Sequence, residues 1–392
     1  MDFKRISPFF SPLCKRGAGG ISSFFSPLCK GEFHPSTLES GLRGVLFLLF
    51  FIIPLSFSLH SCKNPLEIED NIKIIEPAEP GIDFKDWEVQ KSGSLENLNA
   101  VYFIDAMNGW IVGNKATILR TNDGGATWTK QDAGFINPNS SNDLHSVMFI
   151  NKYNGWAVGK DALTIHTTDG GNHWKLEYFQ KDGAWFKSIY FTDLQNGWIL
   201  GSDGKIKRTR DGGANWNLQY STEGGIGLSR ICFLDTERAW AVGNGGRLIR
   251  TINAGGKWEE QSLNTFYFLN DICFADMQSS WLVGENGTIF RSQDAGETWS
   301  SIEPFTQFNL LDIDFPNPMN GWIIGKRNAL DEKPACTIFR TTDGGITWSG
   351  ARSENDFINA IFFIDSVNGC AVGDKGLILK LKFIPISLRN TL

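Results

Sequence analysis

From Ala100 onward the chain reads as short apolar stretches cut by Gly, Asn or Asp: Ala100 to Ile104, Trp110 to Val112, Thr117 to Arg120 and Thr127 to Lys130. Each is of strand length and each gap carries turn chemistry, so the pattern predicts four short antiparallel strands in one unit. That unit recurs. Trp stands at 110, 156, 198, 240, 281 and 322, with Cys370 in the seventh place, at spacings of 46, 42, 42, 41, 41 and 48. Seven residues before each lies a Phe: Phe103, Phe149, Phe191, Phe233, Phe274, Phe315 and Phe363. A period near 42 is the size of one propeller blade.

The first six units carry a second signature, an acid or amide with Trp five residues on: Asp123 to Trp128, Asp169 to Trp174, Asp211 to Trp216, Asn253 to Trp258, Asp294 to Trp299 and Asp343 to Trp348. From the first Trp to this acid the gap is 13 residues in five units and 21 in the sixth, which places eight extra residues within Lys326 to Cys336. Sheets this small cannot cover both their faces alone. Seven of them stacked radially can, which gives an all-β, seven-bladed β-propeller with four antiparallel strands per blade. The seventh unit stops near Leu381 without a box turn and so lacks its fourth strand. Asp86 to Gln90 resembles the post-turn strand Thr127 to Gln131 and is expected to complete that last blade from the N-terminal end, leaving no open edge. Thirteen of the fourteen tryptophans are then repeat positions, and Trp185 is left over.

The propeller is expected over residues 84–383, with a tail at 384–392. Ahead of it, residues 1–61 read as a leader and lipoprotein signal: Val45 to Leu59 is almost wholly apolar, follows Arg43 and precedes His60-Ser61-Cys62. The run is short for a membrane span, and a small residue before Cys62 suits cleavage there, so Cys62 is the expected lipidation site. A plain secretory signal or an uncleaved anchor is the alternative. All three readings put the rest of the chain outside the cytoplasm, and the first makes it a membrane-anchored lipoprotein. Within residues 1–40 the segment at 23–30 nearly repeats that at 7–15, as translated upstream DNA would, with the true start nearer Leu38 or Leu42. Residues 62–83, with Pro65, Pro77 and Pro80 among acids, read as a tether.

Charge and chemistry narrow the function. The net charge is −6, and −9 once residues 1–61 are set aside, so nucleic acid is not an expected partner. The seven cysteines, at 14, 29, 62, 232, 273, 336 and 370, show no short paired spacing, which argues against a zinc site or a disulfide framework. Cys232 and Cys273 hold equivalent first-strand positions and read as buried small apolar residues. Each box offers one carboxylate where a calcium site needs several oxygens, so the acid is read as an acceptor for its own turn. No metal or cofactor is expected. A glycosidase would need a carboxylate pair, or a Tyr with an activating Glu, plus arginines converging at the pore. Glu177 and Tyr178 are adjacent and cannot aim at one sugar, so no catalytic residue is assigned.

Two sets of residues stand out as partner-binding candidates. Three residues before each box acid the chain places Arg120, His166, Arg208, Arg250, Arg291 and Arg340, with Lys380 in the seventh unit. This ring either docks an acidic partner or bridges to Asp105, Asp193, Asp235, Asp276 and Asp365, each two residues after a repeat Phe. Trp185, Phe268, Phe308 and Phe357 precede first strands and either line the channel mouth or pack in the core. The loops Gln131 to Asn142 and Gln180 to Phe186 and the Lys326 to Cys336 insertion lie on the face opposite the boxes, where a rigid scaffold carries specificity.

Thr121 to Trp128 and Thr341 to Trp348 resemble the Asp-box repeat of bacterial neuraminidase type, Ser/Thr-x-Asp-x-Gly-x-Thr-Trp. The Asn-Gly-Trp-x-Val-Gly element is similar to that of the photosystem II stability and assembly factor family over roughly residues 84–383, with departures at Arg238-Ala239 and Ser279-Ser280. The resemblance implies a seven-bladed extracytoplasmic or lumenal propeller, often lipid-anchored and with an arginine-rich surface. It also implies a noncatalytic assembly factor that holds a membrane-protein subunit or intermediate, and a monomer is expected. A sialidase-like hydrolase or a carbohydrate-binding propeller is the alternative.

Overall fold

The computed structural model describes residues 86–134, 141–180, 183–327, 336–353 and 357–382. Cys62, the tether, the signal segment and the tail after 382 lie outside them.

Seven four-stranded antiparallel sheets form the blades. Blade 1 runs Leu98–Phe103, Gly109–Gly113, Ile118–Thr121 and Thr129–Lys130 from the axis outward, and blades 2 to 6 repeat it from Leu144, Phe186, Leu228, Leu269 and Asn309. Blade 7 takes three strands from the end of the chain, Ile358–Phe363, Gly369–Gly373 and Ile378–Leu381, and its outer strand is Trp87–Gln90. Trp87 sits opposite Leu381 and Gln90 opposite Ile378, and Lys382 N donates to Asp86 O at 2.8 Å. The innermost strand of each blade packs against that of the next, and blade 7 against blade 1, so the ring is shut.

Neighbouring inner strands belong to different sheets, so side chains tie them together. Ser146 Oγ accepts from Ile189 N (3.4 Å) and Ser188 Oγ from Ile231 N (3.3 Å), each bond joining one blade to the next. Cys273 does the same work. It is half-buried rather than buried, as is Cys232, and its Sγ accepts from Phe315 N at 3.4 Å. These positions face the next blade's backbone, which is why they carry acceptors and not plain filler.

The repeat aromatics form a layer that joins six of the seven blade junctions. Trp110 of blade 1 stacks on Phe149 of blade 2 with centroids 3.5 Å apart, and Trp174, the box Trp of blade 2, meets that Phe edge-on at 5.9 Å. In blade 7 the N-terminal Trp87 takes the box position, edge-on to Phe363 at 6.1 Å. Six of the repeat tryptophans are fully buried, and burying rings of this size supplies the main apolar stabilisation between blades.

Candidate functional site

Turns between the first and second strands and between the third and fourth strands share one face, the box face. In blade 1, Thr121 Oγ1 donates to Asp123 Oδ1 (2.8 Å) and accepts from Gly125 N (2.8 Å). Asp123 in turn accepts from the Thr127 amide (2.9 Å) and hydroxyl (2.6 Å). Led by the Thr127 hydroxyl, these bonds hold the Asp123 carboxyl down to about 2. In blade 3 the Asn215 side chain does the same for Asp211.

The basic ring lies just inside these turns. Arg120 pairs in register with Trp110, Arg208 with Trp198, and Lys380 with Cys370. Guanidinium groups stand over the indoles at 5.8 Å for Arg120, 4.7 Å for Arg208, 5.4 Å for Arg291 and 5.3 Å for Arg340, and His166 lies flat on Trp156. His166 pairs with Glu177 of its own blade, whereas two of the arginines reach the following blade. Arg208 Nη1 donates to Ala254 O (2.8 Å), and Arg250 pairs with Glu297. The aspartates expected as bridging partners instead close their own turns: Asp105 Oδ1 accepts from Met107 N and Asn108 N at 2.8 Å, and Asp235, Asp276 and Asp365 repeat this. The reason is reach, because an Asx turn satisfies the carboxylate locally before a neighbour can. Among the described residues Arg120 and Arg291 meet no hydrogen-bond acceptor.

The opposite, loop face carries the candidate aromatics. Trp185 is 43% exposed, with Lys160 Nζ at 5.3 Å and Lys187 Nζ at 5.2 Å from its ring and His145 stacked at 6.0 Å. Its position is fixed by backbone: Trp185 O accepts from Ser202 N at 3.0 Å, and a Cβ on Gly201 would strike that oxygen at 2.1 Å. Burial, then Lys187, pushes His145 down to about 4, so it stays neutral beside the two ammonium groups. Phe268 is 42% exposed and follows Phe266, which is 91% exposed. Phe308 and Phe357 are half-buried, with Arg327 over the first at 5.6 Å and Lys326 over the second at 4.4 Å. Lys326 and Cys336 bound the insertion of blade 6, of which residues 328–335 lie outside those described.

The channel holds charged residues that sequence reasoning missed. Arg230 Nε meets Asp271 Oδ1 at 2.9 Å, and its Nη2 lies 3.8 Å from Asp312 Oδ1. Asp271 accepts from Ile313 N (3.0 Å) and Asp312 from Ile361 N (2.8 Å), so both carboxylates bind the next blade's backbone. Burial, reinforced by Asp271 alongside, pushes Asp312 well above the usual carboxylate range. The available signal was a column, since the residue three before each repeat Phe reads Ala100, Ser146, Ser188, Arg230, Asp271, Asp312 and Ala360.

The sequence model of the Photosynthesis system II assembly factor YCF48 family matches residues 80–182, 178–267 and 256–330. The chain belongs to this family. A curated YCF48 relative, the photosystem II assembly protein Ycf48 of Thermosynechococcus vestitus, is 39% identical over 49 residues, a stretch spanning 12% of this chain and 14% of that protein. A solved structure described as YCF48 bound to D1 peptide has a TM-score of 0.63 at 24% identity, covering 78% of this chain and 99% of that one. YCF48 from Cyanidioschyzon merolae gives 0.61 at 19% identity, covering 76% and 98%. The fold is shared more widely: a GH74 enzyme of Niastella koreensis gives 0.58 at 12% identity, covering 75% of this chain and 53% of that one. The YCF48 family match takes in the clasp strand Trp87–Gln90 and ends inside blade 6, before the three C-terminal strands of blade 7.

Proposed function

We propose that this YCF48-family chain is a noncatalytic, monomeric, extracytoplasmic scaffold, tethered by lipid on Cys62, that holds a segment of a membrane-protein client on its loop face. Trp185 carries the reading: an exposed indole, rigidly placed, with two ammonium groups within 5.3 Å of its ring centroid. Exposed indoles framed by cations are the composition of interface anchors, and they suit a partner with apolar and acidic side chains. The client class is supported by family membership and by a similar propeller holding a D1 peptide. Asp271 and Asp312 bear on the noncatalytic reading, because a glycosidase needs its carboxylates aimed at a sugar and these two hold backbone amides and Arg230.

The test is titration of the full chain with that D1 peptide, beside the variant Trp185→Ala/Lys187→Gln. Binding weakened about tenfold or more in the variant, with an unchanged unfolding temperature, is expected. Binding of an oligosaccharide in place of peptide, or release of sugar from one, overturns the proposal. Labelling by radioactive palmitate that Cys62→Ala abolishes tests the tether.

A second reading rests on Arg120 and Arg291, which meet no acceptor among the described residues. With Lys380 they offer a client carboxylate a place on the box face. Arg120→Gln and Arg291→Gln then lower client binding without loss of stability, whereas Arg208→Gln, which breaks the bond to Ala254, lowers stability.

A further inference from the structure

Around the ring, five repeat tryptophans lie between two groups, the Phe of the following blade and the basic residue of their own blade, while Arg250 beside Trp240 turns to Glu297. Trp281 shows the pattern, 3.7 Å from Phe315 and 5.4 Å from the Arg291 guanidinium. At two junctions the indole also donates its N–H to the second residue of the next box, Trp110 to Gly170 O (3.0 Å) and Trp156 to Gly212 O (2.9 Å). The junction from blade 7 to blade 1 has the two flanking groups without the ring between them. Cys370 stands where Trp would, Lys380 lies opposite it in register, and Phe103 belongs to the following blade.

The consequence is a narrow cleft, open to solvent on the box face and lined by Phe103, Gly124, Gly125, Phe362, Cys370 and Lys380. Close approach confirms that an indole is what it lacks. A Cβ built on Gly171, Gly213, Gly255, Gly296 or Gly345 would meet the preceding blade's indole at 2.8 to 3.4 Å. On Gly125 its three nearest neighbours all belong to blade 1. Phe362 leans toward Phe103 at 6.1 Å, farther than the Trp–Phe pairs of the other six junctions, which lie at 3.5 to 4.7 Å. The Cys370 thiol is buried and pushed up to about 12, so it is a short, unreactive filler.

We propose that this cleft receives the indole of a tryptophan presented by a protein partner. Phe103 offers a face to stack on, Lys380 an ammonium for the other face, and the Gly124 carbonyl holds the place of Gly170 O and Gly212 O, which accept indole N–H elsewhere in the ring. An aliphatic side chain would gain only burial, and a phenyl ring would leave the acceptor unused. The site is distinct from the loop face, and its test uses no client, so either can fail while the other stands.

Saturation-transfer NMR titration of the full chain with N-acetyl-tryptophanamide decides the matter. The probe is expected to bind about fivefold more tightly than N-acetyl-leucinamide, and Lys380→Met to weaken it about fivefold. Cys370→Trp, which supplies the ring from within, is expected to abolish binding and raise the unfolding temperature. If that variant does not fold, Lys380→Met still decides. Equal binding of the two amides, binding of free indole without N-acetyl-tryptophanamide, or affinity unchanged in Lys380→Met overturns the proposal.

Discussion

Phe233 stands at 45° to the ring of Trp198 because Ala239 occupies a place that glycine holds in the flat-stacked blades. With Gly155, Gly197, Gly321 or Gly369 before the repeat Trp, or before the Cys370 that replaces it, the Phe of that blade lies at 11°, 12°, 3° or 15° to the indole it meets. Ser280 gives 41° for Phe274. The glycine leaves room for the ring, since a Cβ on Gly155 would sit 2.4 Å from Phe149.

Gly155→Ala should therefore tilt Phe149 off Trp110 and cost about 1 to 3 kcal/mol, read as a lower urea midpoint. Ala239→Gly should let Phe233 lie flat at little net change in stability, within about 1 kcal/mol, because the extra backbone freedom offsets the better stack. A crystal structure of that variant with Phe233 still near 45° would refute the steric account.

Acid should loosen the box turns. The carboxyls of Asp123 and Asp211 are held down to about 2, and those of Asp294 and Asp343 are also lowered. A lowered folded value means that the unfolded chain binds protons first, so this stabilisation is full above about pH 4 and disappears as pH falls toward 2. Urea titrations across that range should show the loss, and Asp123→Asn should flatten its slope.

Asp312 carries the opposite sign. Its folded value is raised, so its contribution is intact in acid and declines as pH rises through that value. Asp312→Asn keeps an acceptor for Ile361 N and gains a donor toward Asp271. The variant should melt about 2 °C or more above wild type at pH 8, with the gap closing at pH 4.

The clasp can be weighed by one side chain. Trp87 is 4% exposed and meets Phe363 edge-on, so Trp87→Ala should cost about 3 to 5 kcal/mol, as for other buried tryptophans. A variant with unchanged thermal unfolding would mean that the N-terminal strand contributes nothing to closure.

Blade number and clasp were legible because Trp, Phe and box acid each occupy one layer, and a layer repeats at fixed spacing. Trp185 was legible as the tryptophan the repeat left over. The charged channel was not, because its column changes chemistry from Ala100 through Arg230 to Asp312 and shows no period in residue type. The ring of cations was visible as a ring, but spacing cannot tell whether Arg208 leans toward Asp193 of its own blade or toward Ala254 of the next. Cys232 and Cys273 look apolar in isolation, and only the neighbouring strand gives Cys273 an amide to accept.

Because blade 7 is finished by Trp87–Gln90, its assembly needs the earliest-made strand and the latest-made strands together. A nascent chain can stack blades in order as it leaves the ribosome, but it must keep that first strand unpaired until Ile378–Leu381 emerges. During that interval an unclaimed β edge is exposed, and capture of it by a second nascent chain would yield an exchanged dimer.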